Sequence, residues 1–508
     1  MTANSPGSGG TEEAVVNEFG YKQELRRALR FFSIFSVAFS IISITTGIFL
    51  NFAFGFGHLG PAMIWTWPVA AVGQLLVCLV LAELATRIPL AGANYQWGAR
   101  LVNPSYGWFV GSLGIMYGAV GLPAIMHLAA GPLTEYVFNV SNPSGRLTLF
   151  VALLILTVAY LINVISVQLA ARVNNVAVFT EILGTVVLAL LLFFLWVGDY
   201  KHTDHGLGYL GHHFHQPGQP YWYAIVLASL IGIFTIVGFE AAADLSEEAV
   251  DARRSVPRAM IGSVIISAVL GLVVLIGFTL AMPSDKFFAA SGGFLPAEFQ
   301  YWIGSGWARF FTAVVVFSMF ALTVVGAAAN ARLIFAMSRD NMLPGSSWWK
   351  IVNSRTQTPL PALAVSYVVT VGVMVFGYNS SNAFGFLVGA TALVPYIVYF
   401  LTVIAYGWKR RQIEAMPGAF HLGKWAGPVF AGALVWLVVA ILALSLPHEF
   451  HHADYYVLGG IGLAVLWWAF GLYPRLRRHT AGVATVNVPA QRMIDVTETT
   501  DKPTPTGG

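Results

Sequence analysis

The sequence predicts an all-α polytopic membrane protein with twelve transmembrane helices. Of its 508 residues, 57% are hydrophobic and only 10% are charged, whereas soluble domains carry about 25% charged residues. Crossing the hydrocarbon core of a bilayer takes about 20 predominantly apolar residues, and the chain offers many runs of that length. The polar beginning of the chain lacks the short apolar core and small-residue cleavage site of a signal peptide, so we expect the first apolar run to stay in the membrane.

Twelve apolar segments define the predicted helices. They cover residues 31–57, 61–86, 105–138, 146–165, 170–198, 221–245, 258–282, 306–338, 360–378, 383–408, 426–446 and 454–474. The ends of the chain, 1–30 and 476–508, are polar, and we expect both tails to be disordered. Because the number of spans is even, the two tails should lie on the same side of the membrane.

The positions of Lys and Arg predict which side each loop occupies. With both tails placed in the cytoplasm, few of the 27 Lys and Arg residues fall outside, namely Arg146, Lys201, Lys286 and Arg309. Cytoplasmic loops of membrane proteins carry such a positive excess. The sequence therefore predicts a protein of the cell membrane with cytoplasmic termini and an external linker at 199–220. Since this bias accounts for the basic residues, we do not expect nucleic acid as a partner.

The external linker is rich in histidine, at His202, His205, His212, His213 and His215. It lacks a carboxylate or thiol cluster at the fixed spacing of a metal site, so a solvated loop is favoured and no metal site is assigned. Cys78 is the single cysteine and lies in an apolar run, which excludes an internal disulfide and favours a packed core residue. We expect no cofactor.

Two apolar segments contain residues that should interrupt a helix in lipid. Thr45–Gly47 lies in the centre of the first segment, where no water replaces lost hydrogen bonds. In the sixth segment Gly238 is followed by Glu240, whose carboxyl group is expensive in a span unless it faces a cavity or a partner. Gly and Thr also allow helices to pack closely, and this alternative remains for either break alone.

The two breaks lie five helices apart, as expected if helices 1–5 and 6–10 form an inverted repeat in which each half opens with a broken helix. The N-terminus of a half-helix aims unpaired amides at an anion, and its C-terminus aims carbonyls at a cation. Together these ends would hold a zwitterion in mid-membrane. The candidate substrate-binding residues are Ile44, Thr45, Thr46, Gly47, Tyr117, Ile236, Val237, Gly238, Phe239 and Glu240.

Each candidate has an expected part in the site. The first break should hold the carboxylate or equivalent polar end of the substrate. Carbonyls of Ile236, Val237 and Gly238 should hold its ammonium group. Phe239 should cover the site as a hydrophobic lid, and Tyr117 of the third segment should form part of the wall.

Three motifs resemble the amino acid–polyamine–organocation transporter superfamily, and the resemblance extends over nearly all of residues 31–475. They are LAELATRIPLAGANYQWGARL (81–101), GFEAAADLSEEAVDARRSVPRAM (238–260) and ANARLIFAMSRDNMLP (329–344). These look like the loop after the second helix, the sixth helix with its loop, and the end of the eighth helix. A fourth stretch, NVISVQLAARVNN (163–175), resembles the amino acid/choline branch, which includes GABA and choline permeases. The single glycine of the first break departs from the two glycines of many members.

The resemblance implies a LeuT-type fold with broken helices 1 and 6. Residues 31–408 would form the ten-helix transport core, and residues 409–475 would add helices 11 and 12 with their preceding loop. Proton-coupled members of the superfamily resemble this chain in placing a titratable group on the fifth helix, which here makes Glu181 the candidate coupling residue. The alternative is that Glu181 only hydrogen-bonds a freed amide of the first break. Sodium is less favoured because the eighth segment offers few oxygen ligands, Ser318 and Thr323 among them.

The predicted function is secondary active transport of an amino acid or related small amine, such as GABA or choline, by alternating access with proton coupling. The first alternative is an exchanger of amino acids or polyamines without ion coupling. A channel or a polytopic enzyme is a remote alternative, because the sequence shows neither a repeated pore motif nor a catalytic cluster. The expected partners are the small-molecule substrate, a proton and the lipid bilayer, with the protein as a monomer or homodimer.

Overall fold

The fold is almost entirely helical. The structure, a computed structural model, describes residues 15–198, 205–214, 218–378 and 383–483. Within these residues the only β pairing is an isolated bridge between Leu29 and Ala249. Among the described residues, ten helical stretches are long and apolar enough to cross a membrane. The chain is therefore an all-helical, multi-pass membrane protein, as the sequence predicted.

The first half of the chain contains an interrupted helix followed by four long helices and one short one. These are α1 (Phe31–Ile42), α2 (Ile44–Leu59), α3 (Thr66–Arg87), α4 (Ala93–Leu101), α5 (Pro104–Pro132), α6 (Gly145–Ile165) and α7 (Val167–Val197). A 3-10 turn at Gly60–Trp65 connects α2 to α3, and the whole of Phe31–Arg87 forms one 57-residue apolar stretch.

The second half begins with a second interrupted helix. Its elements are α8 (Tyr221–Ala228), α9 (Leu230–Thr235), α10 (Ala241–Asp244), α11 (Ala252–Ala281), α12 (Asp285–Ser291), α13 (Leu295–Ile303), α14 (Ser305–Arg339), α15 (Ser346–Trp349), α16 (Leu360–Tyr378), α17 (Ala383–Glu414), α18 (Ala426–Ser445), α19 (His451–Trp467) and α20 (Tyr473–Arg477). The helix ends agree with most predicted segments to within a few residues.

Both interrupted helices lie inside the bundle. Helix α11 packs against α1, α3 and α7, and α14 packs against α5 and α7, while α9 packs against α2 and α3. The most apolar window of α14 is 72% buried, whereas those of the stretches 423–445 and 454–477 are 28% and 11% buried. Helices α18 and α19 therefore lie on the outside of the bundle, where their apolar side chains face the position of the lipid.

The N-terminal segment 15–30 is packed against the rest of the protein, so the expectation of a disordered tail is wrong for this part. Leu25 and Leu29 are each 2% exposed. The amide of Leu29 donates to the carbonyl of Glu248 over 3.0 Å, and its carbonyl accepts from the amide of Val250 over 2.9 Å. The polar composition of this segment predicted disorder, but its few apolar side chains pack against the rest of the protein.

The predicted C-terminal tail is described only as far as residue 483. The amide of Gly482 donates to the carbonyl of Asp340 over 3.0 Å, so the beginning of this tail also contacts the bundle. Residues 1–14 and 484–508 lie outside the described residues.

Candidate functional site

The first break lies at Ser43, immediately before the residues that the sequence singled out. Ser43 has φ 37° and ψ 81°, in the left-handed region that most L-residues avoid. Helix α1 ends at Ile42 and α2 begins at Ile44, so Thr45–Gly47 forms the first turn of α2. The sequence therefore predicted the region of the break but placed it two residues too far along the chain, because the helix resumes before the Thr and Gly residues.

The carboxyl group of Glu181 on α7 lies at the N-terminus of α2, where backbone amides have no partner within the helix. Its carboxylate oxygen Oε1 accepts from the Thr45 amide over 3.1 Å and from the Ser43 hydroxyl over 3.1 Å. Glu181 is only 1% exposed. A carboxylate at a helix N-terminus is stabilised by the unpaired amides and by the helix dipole. The structure therefore places the predicted coupling residue directly on the first break, in contact with the amide where a substrate carboxylate was expected.

The second break separates α9 from α10. Gly238 has φ +85°, which favours glycine, and a Cβ at this position would lie 2.0 Å from Cγ2 of Ile41 on α1. The amide of Gly238 donates to the hydroxyl of Tyr399 over 2.8 Å. Its carbonyl accepts from the Ala241 amide over 3.1 Å, so this carbonyl is already used within the turn. Gly238 thus allows the two interrupted helices to approach each other closely.

Tyr399 of α17 links the second break to its buried carboxyl group. The Tyr399 hydroxyl accepts from Gly238 and donates to the carboxylate of Glu240. Tyr396, one turn earlier, donates to the carbonyl of Ile233 over 2.8 Å, which satisfies a carbonyl near the end of α9. Two tyrosines of one helix therefore hold both sides of the second break.

A cavity lies between the two breaks. Its volume is about 110 Å³, several times the 10–15 Å³ or so that one water molecule needs. Six of the predicted site residues line it, namely Thr46, Gly47, Tyr117, Val237, Gly238 and Glu240. Other parts of the wall come from α4, α5, α14 and α17. The two breaks that the sequence placed together do meet at one cavity.

Four predicted residues lie behind the cavity wall. The hydroxyl of Thr45 hydrogen-bonds that of Thr185 on α7 over 2.6 Å. Ile44 and Ile236 are each 0% exposed and pack in the core. Phe239 is also buried and stacks on Tyr399 with a centroid separation of 5.3 Å. This placement does not support a lid role for Phe239 in the described conformation.

Aromatic side chains fill the space on the α2 side of the breaks. Phe49 lies 5.7 Å from Phe294 between ring centroids, and Phe52 lies 6.4 Å from Phe278. Phe278 is in turn 5.6 Å from Phe311. Such edge-to-face contacts combine large apolar burial with favourable ring geometry. They form a continuous aromatic cluster from α2 to α14.

Two buried ion pairs lie on the opposite side of the cavity, next to α4. Arg332 Nε lies 2.6 Å from Glu248 Oε1, with both side chains almost completely buried. Arg339 lies 2.8 Å from Glu247, whose carboxylate also accepts from the Ala91 amide over 3.0 Å. These acids belong to the connector after α10, and the arginines belong to α14. Because both pairs are buried, removal of one partner leaves an uncompensated buried charge, and each pair is therefore costly to break.

The N-terminal segment adds a hydrogen-bonded cluster around Asp340. Tyr21 and Tyr95 donate to the two oxygens of Asp340 over 2.7 and 2.6 Å. Burial, followed by the nearby charge of Asp340, raises the pKa of Tyr21 to about 12. Burial also raises the pKa of Asp340, against the opposing effect of Arg339. At neutral pH the Tyr21 hydroxyl is therefore protonated and donates to Asp340, which fixes the segment 15–30 against the end of α14.

Several residues of the site were missed by the sequence analysis. Ser43 forms the break itself, Tyr396 and Tyr399 hold the second break, and Asn330 lines the cavity. A signal was available for the tyrosines, because VPYIVYFL (394–401) carries two hydroxyl groups one turn apart in an apolar span. Ser43 had no such signal, since serine is common in packed membrane helices.

The histidines of the linker have protein partners in its described part. His205 stacks on Tyr209 with a centroid separation of 3.7 Å, and His212 lies 3.8 Å from Asp285. Within the described ranges no three His, Cys, Asp or Glu residues are grouped as a metal ion would require. His202 and His215 lie outside the described residues.

Comparison with known proteins agrees with this architecture. The family model described as "Amino acid permease" matches residues 29–470. The chain is 28% identical to the amino-acid permease BAT1 of Arabidopsis thaliana over 90% of this chain and 93% of that protein. It is 27% identical to amino-acid permease 2 of Neurospora crassa, over 85% of this chain and 82% of the relative. It is also 27% identical to the GABA-specific permease of Saccharomyces cerevisiae, over 93% and 86%.

These relatives are named as permeases, which agrees with the prediction of a transporter rather than an enzyme. The family match covers both helix breaks, the cavity and the buried ion pairs. It also confirms the superfamily resemblance that the three sequence motifs indicated. This chain belongs to the amino acid permease family.

Proposed function

We propose that this protein is a secondary active transporter that moves an amino acid or related small amine across the cytoplasmic membrane by alternating access. The observation that carries the proposal is the cavity between the two interrupted helices, lined by Thr46 and Gly47 from one break and by Val237 and Gly238 from the other. Interrupted helices at mid-membrane present unpaired backbone groups to a solute. A cavity of this kind suits a small polar molecule.

We further propose twelve spans. The 57-residue stretch Phe31–Arg87 divides into two at the 3-10 turn Gly60–Trp65. The shorter apolar stretch Tyr221–Thr235, together with α10, adds a span that is itself interrupted. On this count residues 31–408 form the transport core, and the helices within 409–475 are peripheral.

The packing of the helices supports an inverted repeat within this core. If the second half repeats the first, each span has a counterpart five spans away in the other half. A contact between two spans should then recur between their two counterparts. The contact of α14 with α7 corresponds in this way to that of α17 with α5, and the contact of α14 with α6 corresponds to that of α16 with α5. The contacts of α11 with α1 and of α9 with α3 form a third such pair.

The described conformation favours access from the end that carries α4. Gly92 and Asn94 line the cavity on that side, whereas the aromatic side chains around Phe278 close the other. The positive-inside bias assigns the α4 end to the cytoplasm. Transport would then require the aromatic side to open while the connector carrying Glu247 and Glu248 closes more tightly against α14.

Proton coupling through Glu181 is the favoured mode. The carboxyl group is buried and contacts the first break through the Thr45 amide and the Ser43 hydroxyl. Its charge therefore affects the half-helix that must move, and a proton on this group would weaken its hold on the amide. Sodium is less favoured, because it requires several oxygen ligands and α14 offers few side-chain oxygens here, Ser318 and Thr323 among them.

The same contact favours a second candidate function, an exchanger without ion coupling. A carboxylate that accepts from the amides of a helix N-terminus acts as a structural cap, and such a cap needs no change of protonation. Glu181 would then stabilise the break throughout the cycle. This candidate differs from the first in one measurable respect, since an exchanger does not accumulate substrate in response to a pH gradient.

Flux measurements on purified protein in proteoliposomes test the proposal. A carrier gives saturable uptake of labelled substrate that is accelerated by unlabelled substrate inside the vesicles. The amino acids and GABA suggested by the names of the relatives form the first panel, and choline stays in the panel as a prediction from the sequence. Flux that rises linearly with concentration would indicate a channel, and conversion of the substrate would indicate an enzyme.

A further inference from the structure

The wall of the cavity is acidic. Glu240 and Asp244 lie four residues apart at the second break and both line the cavity. The described lining includes no Lys, Arg or His residue. Two arginines of α14 form ion pairs with other acids, Arg332 with Glu248 and Arg339 with Glu247. The two carboxyl groups therefore face the cavity without a fixed cation.

Asp244 is the less satisfied of the two acids. Glu240 accepts a hydrogen bond from Tyr399, whereas the carboxyl group of Asp244 has no hydrogen-bond donor among the described residues. The backbone amide of Asp244 donates to the carbonyl of Glu240 over 3.1 Å. A buried carboxylate without a cation or hydrogen-bond donors is unfavourable. A ligand that brings its own positive charge removes that penalty.

An independent acceptor lies in the wall formed by α14. Asn330 is 5% exposed and lines the cavity. Its Nδ2 donates to the Ser366 hydroxyl over 3.0 Å, which fixes the amide and leaves Oδ1 without a partner. Oδ1 points to the glycine face of α5, where it would lie 2.8 Å from a Cβ at Gly118, another lining residue. Like the two acids, this oxygen accepts hydrogen bonds and donates none.

The groups that would bind a substrate carboxylate are largely occupied. The amide of Thr45 donates to Glu181, and the amide of Gly238 donates to Tyr399. The cavity therefore combines two carboxyl groups and an amide oxygen with few free amide donors. Its chemistry complements a ligand with several N–H groups and an excess of positive charge.

We propose that the cavity selects substrates that carry a second ammonium group, such as a cationic amino acid or a diamine, and that Asp244 is the residue that recognises this group. The inference rests on the proposed function, because it takes the cavity to be the substrate site. Glu240, held by Tyr399, then faces the first ammonium group near the carbonyl of Val237. Asp244, one turn along, faces the second.

A pair of isosteric ligands tests the inference. L-ornithine and L-norleucine have side chains of the same length and differ by an ammonium group in place of a methyl group. We expect ornithine to stabilise the purified protein against heat, and to compete for uptake, at a concentration at least tenfold below that of norleucine. Putrescine, which retains both ammonium groups of ornithine and lacks its carboxylate, should also bind more tightly than norleucine. Equal or tighter binding of norleucine in the parent protein overturns the inference without any variant.

Asp244→Asn tests the residue assignment. The substitution should weaken the binding of ornithine at least tenfold, which corresponds to about 1.4 kcal/mol. The affinity for norleucine should change by no more than about twofold, so that the ratio of the two affinities falls towards one. Glu414→Gln is the matched control, because it removes a carboxylate that is 43% exposed and pairs with Arg410 away from the cavity. An unchanged ratio in Asp244→Asn, or the same fall in Glu414→Gln, overturns the assignment. If Asp244→Asn does not fold, Asn330→Asp replaces it, and its added acid must raise the preference for ornithine.

Binding and flux separate this inference from the proposed function. Ornithine-selective thermal stabilisation without saturable flux would retain the cavity assignment and overturn the transport proposal. Saturable flux that prefers norleucine would retain the transport proposal and overturn the assignment. Absence of both stabilisation and flux with all three ligands would overturn the inference.

Discussion

Replacement of Gly47 by alanine should force the two interrupted helices apart. Gly47 lies in the first turn of α2, where it contacts Thr235 at the end of α9. A Cβ at Gly47 would lie 2.1 Å from Oγ1, 2.4 Å from Cγ2 and 2.6 Å from Cβ of Thr235. A change of rotamer moves Oγ1 and Cγ2 but leaves Cβ in place. Relief of the overlap therefore requires movement of the backbone.

The size of the effect follows from these distances. Carbon atoms in contact sit about 3.5–4.0 Å apart, so the 2.6 Å separation from Thr235 Cβ falls short by about 1 Å. Overpacking of a well-packed core costs about 1–3 kcal/mol. Denaturant titration of the purified protein in detergent micelles, followed by tryptophan fluorescence, should show a midpoint at a lower denaturant concentration for Gly47→Ala.

A glycine without close neighbours supplies the control. Gly372 lies in α16, and a Cβ there would have no heavy atom within 4 Å. Gly372→Ala should be neutral or slightly stabilising, because alanine favours a helix over glycine by up to about 1 kcal/mol. In a double-mutant cycle, Thr235→Gly should offset the cost of Gly47→Ala by about 1 kcal/mol or more. Equal midpoints for Gly47→Ala and Gly372→Ala, or strictly additive effects in the cycle, would refute the reasoning.

Three further outcomes are expected. Glu181→Gln retains an oxygen that accepts from the first break but cannot release a proton, so exchange of internal for external substrate should continue while uptake driven by a pH gradient is lost in the same proteoliposomes. Glu248→Ala leaves the buried Arg332 without its carboxylate and should lower the free energy of unfolding by about 3–5 kcal/mol, measured by denaturant titration. A cysteine at Gly208, where a Cβ would have no heavy atom within 4 Å, should react with an impermeant reagent in intact cells, because the positions of Lys and Arg predict an external linker.

Each of these outcomes has a contrary result. Gradient-driven uptake that survives in Glu181→Gln, or that depends strictly on sodium in the parent, would exclude the proton role. Glu414→Ala, which breaks an exposed pair, should change the free energy of unfolding by no more than about 0.5 kcal/mol, and a loss equal to that of Glu248→Ala would contradict the argument from burial. Protection of the cysteine at Gly208 would reverse the topology. Native Cys78 is buried and should add no labelling.

Sequence patterns predicted the parts of the fold that depend on local composition. The apolar run 360–378 matches α16 at both ends, and 426–446 matches α18 to within one residue. The regions of both breaks were also found, because glycine next to polar residues in an apolar span is a local signal. Burial of the segment 15–30 was not predicted, because its apolar residues are too few to form a span. They are buried only by packing against the rest of the protein.

The sequence by itself determined that the chain is a membrane protein, where its helices lie and where two of them are interrupted. Tertiary structure alone decided what the interruptions contact. Glu181 meets Thr45 across 136 positions of sequence, and Tyr399 meets Glu240 across 159. Hydropathy is a property of neighbouring residues, so it fixes the length and burial of a segment. A hydrogen bond or an ion pair is a property of two atoms in space, and only the packing of the helices decides which carboxyl group caps a break and which faces the cavity.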